Sequence, residues 1–191
     1  AVDPHSSTAY VNGVREIFDY ALTGLPSMSS PRKTYTTTER IKDSVPLGNG
    51  YVLALGDGSA KVVNFNAAVP ESGWAHTSSG GFVHGEKIGD DVLLLSSTGM
   101  LSRWRYDSTT HDLTSIGQHD TGLSSNLAGF TVRGDRVVVY SRTETRTFTG
   151  ITRGLAATGT PTTPGRVTAS VTLSDGQHRA DGSPGVSTVP I

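Results

Sequence analysis

The chain contains no cysteine. That excludes a disulfide scaffold, a thiol nucleophile, an iron–sulfur cluster and a thiolate zinc site together. Long hydrophobic runs are also missing: the longest are residues 51–55, 92–95 and 137–140. None approaches the roughly 20 apolar residues of a membrane-spanning helix. Charge of either sign is sparse and balanced, with 16 basic against 17 acidic residues and a formal net charge of −1. Such a surface offers no electrostatic footprint for nucleic acid or anionic lipid. Good helix formers are few, with five Glu, four Lys and two Met. The Gly-X-Ser-X-Gly elbow, the Gly-X-Gly-X-X-Gly turn, the phosphate-binding loop and Asn-X-Ser/Thr acceptors are all absent.

What remains is rich in Ser, Thr, Gly and Val, with short β-branched bursts separated by Gly and Asp. β-Branched side chains suit a pleated, half-buried surface, and Gly and Asp supply turns. The expected class is therefore all-β. Arg outnumbers Lys twelve to four, a bias of GC-rich coding that points to an actinobacterial source. The opening Ala1-Val2-Asp3-Pro4 has no initiator Met and reads either as a mature secreted, extracellular protein or as a trimmed end.

An internal repeat is the strongest signal. Gly48-Asn49-Gly50-Tyr51-Val52-Leu53-Ala54-Leu55-Gly56-Asp57-Gly58 aligns with the eleven residues from Gly89 to Gly99, and with those from Gly134 to Glu144. The periods are 41 and 45 residues, the range of propeller blades. Asp57-Gly58 falls on Thr98-Gly99, where a hairpin glycine supplies a positive φ. Val63 then meets Trp104, and Phe65 meets Tyr106, an apolar pair two apart on one face of the returning strand. The third copy has Arg142-Thr143-Glu144-Thr145 without the turn Gly, so its hairpin must differ.

An upstream strand precedes each turn, at residues 40–47, 82–88 and 130–133. Each unit thus reads as a four-stranded antiparallel meander whose apolar second strand is covered on both faces. The expectation is a single β-propeller-like domain over 1–191, with repeats at 40–80, 81–126 and 127–153. At about 43 residues per unit the chain holds four to five blades. It closes alone, forms part of a larger ring, or self-associates to complete one. A β-sandwich of similar hairpins is the competing fold. Residues 9–22 read as a strand pair or a short helix, and 26–38 as loop. Residues 154–165 read as a linker, 166–176 as a further strand entering a hairpin, and 180–191 as a disordered tail.

The two clearest units resemble the tachylectin-like family of β-propeller lectins. The resemblance rests on Phe82-Val83, on Ile88-Gly89-Asp90-Asp91-Val92-Leu93 and on Thr98-Gly99-Met100-Leu101-Ser102-Arg103-Trp104-Arg105-Tyr106, with the matching run from Gly48 to Ser59. It covers about half of the chain and departs at the third unit and in the small number of Trp. It implies a rigid propeller that binds N-acetylated sugars without catalysis and without a cofactor. A looser likeness, to secreted actinobacterial propellers of the dispase autolysis-inducing protein type, implies a protein partner such as a protease.

Candidate ligand contacts follow from the chemistry of sugars, whose apolar ring faces stack on aromatics while hydroxyls bond to polar groups. Trp74, in the polar stretch Pro70-Glu71-Ser72-Gly73-Trp74-Ala75-His76, reads as an exposed loop aromatic and the leading contact. Trp104 lies on the alternating strand and reads more as core than as contact. Asn49, Asp90 and Asp135 recur at the unit turns, either as ligand acceptors or as turn formers. Paired carboxylates there raise a glycoside hydrolase as a third function. His111-Asp112 and His119-Asp120 repeat eight residues apart, too far along one strand to share a metal, and read as polar turns. Arg142, Arg146 and Arg153 form a basic rim that blunts strand pairing.

Overall fold

The computed structural model describes residues 1–3, 7–22, 30–149, 169–172 and 178–181, the last two as backbone. Among these residues every regular element is a strand. A first sheet contains β1 (Val2–Asp3), β2 (Thr8–Asn12), β3 (Glu16–Ala21) and β4 (Lys33–Thr36). A second holds β5 (Ile41–Gly48), β6 (Tyr51–Gly56), β7 (Ser59–Asn64) and β8 (Glu71–Thr77). The third holds β9 (Phe82–Ile88), β10 (Asp91–Ser96), β11 (Met100–Tyr106) and β12 (Leu113–Asp120). The fourth has β13 (Leu127–Arg133), β14 (Arg136–Ser141) and β15 (Thr145–Thr149), and β16 (Ala169–Thr172) pairs with β17 (His178–Asp181). Each sheet is an antiparallel meander in sequence order. The first strands β1, β5, β9 and β13 lie side by side along an inner axis. This is the all-β, propeller-like architecture expected from the repeat.

Period-2 alternation explains how the sheets stack. On β6, Val52 and Ala54 face the first sheet, and Leu53 and Leu55 face the third. On β10, Val92 and Leu94 face the second sheet, while Leu93 and Leu95 face the fourth. Both faces of these middle strands are buried, which is why the sequence shows a continuous apolar run instead of an alternating one. Three cores result, one per gap between neighbouring sheets. Each fully buried Leu or Val there stabilises the stack by about 1.5–3 kcal/mol. The outermost strands β8 and β12 are largely exposed on both faces.

Polar contacts fasten the layers. Asp91 accepts hydrogen bonds from Arg103 and Arg105 on the adjacent strand. Burial opposes ionisation of Asp91, and the bonds from Arg105 and then Arg103 overcome it, holding the carboxyl below its ordinary range. Lys33 donates to the carbonyls of Phe65 and Ala67 at 2.6 and 2.7 Å, tying the first sheet to the second. Arg146 donates to the Thr121 carbonyl at 3.0 Å, tying the fourth to the third.

The turns refine the repeat. Gly89 and Gly134 are the first central residues of their hairpin turns, with φ of 60° and 59°. In the second sheet the central pair is Asn49-Gly50, with φ of 51° and 77°, and an irregularity between Pro46 and Gly48 absorbs the extra residue. Asn49 therefore occupies the place of Gly89, not of Asp90, because Asn also tolerates the left-handed region. The β10–β11 turn uses Gly99 at φ 90°, whereas Gly58 adopts no positive φ, contrary to the paired reading of those turns. The fourth sheet replaces the turn glycine with Ser141, whose Oγ accepts the backbone N–H groups of Thr143 and Glu144 at 3.3 and 3.0 Å.

Several local expectations are resolved or corrected. Of the two readings of residues 9–22, the strand pair holds, as β2–β3. The stretch 26–38, expected as loop, contains strand β4, which pairs with β3 through Ile17–Tyr35. Trp74 sits on strand β8, not in a loop, because an edge strand exposed on both faces is as polar as a loop. The 154–165 linker and residues 182–191 of the expected tail lie outside the described residues. Residues 180 and 181 of that tail belong to strand β17, and β16 and β17 form the further hairpin.

Candidate functional site

The β5–β6 and β9–β10 hairpin turns lie together at one end of the stack, and two clefts open there. Between the first and second sheets a cleft of about 420 Å³ is lined by Tyr10, Asp19, Arg32, Lys33, Asn49, Phe65 and Asn66, among others. Between the second and third sheets a cleft of about 490 Å³ is lined by Asn49, Lys87, Asp90, Arg105, Tyr106 and Asp107, among others. Both have a buried aromatic floor and a polar rim: Tyr10 and Phe65 in one, Tyr106 in the other. Phe65 and Tyr106 are equivalent in the repeat, so this is one design used twice.

In the first cleft, Tyr10 and Phe65 pack at 5.2 Å between ring centroids. Burial pushes the Tyr10 phenol up to about 12, with the Asp19 and Asp3 carboxylates adding to it. Arg32 reaches Asp19 at 2.6 Å and Thr8 at 3.0 Å, which fixes its guanidinium across the rim. In the second cleft, the Tyr106 hydroxyl lies 2.7 Å from His111 Nδ1, and His111 stacks on Tyr51 at 3.5 Å. Burial again pushes the Tyr106 phenol up to about 12, followed by Tyr51 and Asp107. Both phenols are therefore neutral donors at physiological pH. His111 holds φ at 62°, so a left-handed turn residue places its ring over Tyr51.

A third cavity, of about 600 Å³, runs along the inner strands β5 and β9. Asp43 accepts from His84 Nδ1 at 2.7 Å and from the Gly85 N–H at 3.0 Å. Burial raises the Glu86 carboxyl, which also accepts the Val132 N–H. Ser44 lines this cavity with its hydroxyl buried and without a protein partner.

Of the five contacts picked from the sequence, Asn49 and Asp90 come together in the second cleft. Asn49 belongs to both clefts. Asp135 is exposed in the equivalent turn of the fourth sheet and lines none of the three cavities. Trp74 and Trp104 also lie outside these cavities, meeting each other edge-on at 5.5 Å toward the outer margin of the second and third sheets. Trp104 is buried and donates its indole N–H to Ser102 Oγ at 2.9 Å. Trp74 is half-buried against the same core and stacks near His76. Sequence reasoning missed Lys87, Arg105, Asp107 and the Tyr51–His111 stack. The signal available was the repeated aromatic that ends the third strand, Phe65 and Tyr106, directly before a loop. Among the described residues no cluster of three or more His, Asp or Glu side chains could hold a metal, and the two His-Asp pairs are separated, with His119 packed on Phe148 at 5.1 Å.

No family model and no curated protein matches this sequence. Solved structures do. A protein from Lactobacillus plantarum superposes with a TM-score of 0.69 at 15% identity, over 86% of this chain and 55% of that one. BamB from Moraxella catarrhalis superposes with a TM-score of 0.57 at 11% identity, over 87% and 48% respectively. The N-terminal domain of Nup159 gives 0.54 at 12% identity, over 85% and 42%. The chain thus spans about half the length of the structures it matches. At these identities the likeness is one of fold, and that fold is the β-propeller.

Proposed function

We propose that this chain is a non-catalytic binding module that takes carbohydrate, of the N-acetylated class, in the clefts between neighbouring sheets. The observation that carries this reading is the duplication: two consecutive gaps hold clefts of similar size, each with an aromatic floor and a charged, amide-bearing rim. An acetamido group offers one N–H donor and one carbonyl acceptor. Asp90 and the Asn49 amide oxygen supply acceptors, while Arg105, Lys87 and the Asn49 amide nitrogen supply donors. Individually weak sites of this kind gain strength when a polymeric glycan engages several at once. The resemblance to tachylectin-like lectins supports the same reading.

Two alternatives fit less well. A protein-docking propeller calls for an apolar patch. Exposed Val14, Val69 and Ile116 lie on separate segments, and the one apolar face, with Val2 and Val11 on the first sheet, lies away from the duplicated clefts. A glycoside hydrolase needs a pair of carboxyls facing one site. Of the turn carboxylates, Asp90 lines the second cleft, whereas Asp91 is held by Arg103 and Arg105, Asp57 pairs with Lys42 and Asp135 lines none of the three cavities.

The test is a glycan array with a matched chitin-bead pull-down, using the wild type, Asp90→Ala and Trp74→Ala. Binding that N-acetylated sugar competes away, that Asp90→Ala weakens and that Trp74→Ala spares is the expected result. Binding lost only in Trp74→Ala would move the site to the outer margin. A blank array with folded wild type would sink the carbohydrate reading.

A further inference from the structure

The first sheet carries the signature of a gap between sheets on a face that no described residue covers. Where the second sheet buries Val63 and Phe65 against its predecessor, and the third buries Trp104 and Tyr106, the first presents Phe18 and Tyr20. These residues sit on the third strand of their meander, two apart, on the face directed away from the second sheet. Register places Val2, Ala9 and Val11 on that same face, through the pairs Val2–Ala9, Ala9–Tyr20 and Val11–Phe18. Val2 is 58% exposed and Val11 is 42% exposed, while Phe18 and Tyr20 are half-buried and pack on each other at 6.5 Å. The opposite face of the same sheet already buries Tyr10, Ile17 and Tyr35.

At the other end, the fourth sheet turns Val137 and Val139 toward the third. Val138, half-buried, faces the other way, while the Tyr140 hydroxyl reaches over Gly129 toward His84 and Glu86 of β9. Among the described residues, the four-sheet stack therefore presents two outer faces of the type that it buries three times internally.

We propose that a second copy of this chain covers the first sheet, its fourth sheet packing on Val2, Val11, Phe18 and Tyr20. Two copies related by a two-fold axis along the propeller axis then form both joints at once, each first sheet against the partner's fourth. Two features support a second copy as the occupant. Face-to-face stacking is the interface this chain already makes in every internal gap, so the joint continues an established packing mode. The fourth sheet also supplies a matching side chain, since half-buried Val138 lies on its face turned from the third sheet. The proposal is independent of the carbohydrate reading, since it concerns the sheet faces and not the clefts.

Analytical ultracentrifugation of the 191-residue chain over a concentration series tests it. The expected species has twice the 20.0 kDa chain mass. Val11→Asp, at an exposed position that folding tolerates, should raise the dissociation constant by about tenfold or more, since it buries an unpaired carboxylate. Val14→Asp, in the nearby turn, should leave the mass unchanged. Val138→Asp should also weaken the pair. A mixture of Val11→Asp with Val138→Asp should recover association, because one of its two joints is intact. A single-chain mass at all concentrations overturns the proposal. So does a dimer indifferent to Val11→Asp, or one that Val138→Asp spares, which would pair two first sheets. Single-chain mass together with slow amide exchange across β2 and β3 would assign the face to a further segment of the same polypeptide.

Discussion

Gly85, on inner strand β9, is a close approach between the second and third sheets, and it yields a two-sided prediction. A methyl group built there would lie 2.7 Å from Val45 Cγ2, 2.8 Å from Leu55 Cδ1 and 3.0 Å from Leu94 Cδ2. Gly85 adopts no positive φ, so the backbone itself accepts alanine and the cost is purely steric. Gly85→Ala should destabilise by about 1–3 kcal/mol, the range for overpacking a tight core. Leu55 is fully buried across the gap, and Leu55→Ala should cost about 2–5 kcal/mol through transfer and cavity terms. The double variant should be less damaged than the sum, because the new methyl enters the space that Leu55 vacates. A favourable coupling of about 1 kcal/mol is expected; Val45 still crowds the site and limits the rescue. Urea denaturation of the four proteins, followed by circular dichroism, measures the cycle. Strict additivity would refute the interdigitated packing of β9 against β6.

Three further outcomes follow from the turns and the buried carboxyls. Gly89→Ala should cost about 1–2 kcal/mol from backbone strain alone, since its φ is 60° and no atom crowds the site, and Gly89→Asn should cost less; thermal melts compare them. The Asp91 carboxyl is held low in the folded state, so the stability it contributes is present above its unfolded value and fades as pH falls through the folded one. Asp91→Asn should lower stability at neutral pH and flatten that acid limb in a pH series of denaturation curves. Glu86 has the opposite sign: burial raises it, so stability falls as pH rises through the carboxylate range, and Glu86→Gln should remove that fall.

The second and third sheets were legible because their middle strands are buried on both faces and their turns need glycine. Residues 92–95 could be nothing but a covered strand. The first sheet was harder to read. β1 has two residues, and Phe18 and Tyr20 alternate with Asp19 in a stretch that also satisfies a helical turn. Strand β8 hid Trp74 because no core imposes alternation on an outer strand. The clefts were illegible for a different reason. Each gathers residues from turns and strand ends of two sheets, and their neighbourhood depends on how the sheets stack. Even Asn49, picked correctly as a turn residue, shifted by one place because a bulge is invisible in a linear alignment.

The Gly48–Asn49–Gly50 turn forms a wall of both clefts. With both central residues in the left-handed region, it has little freedom to yield. Whatever occupies one cleft therefore leans on the same rigid post as the occupant of the next. If the clefts take a polymeric glycan, as proposed, that post is a fixed ruler between two bound units, and the polymer's repeat length is selected along with the chemistry of each unit. A substitution at Asn49 changes that ruler and both sites together.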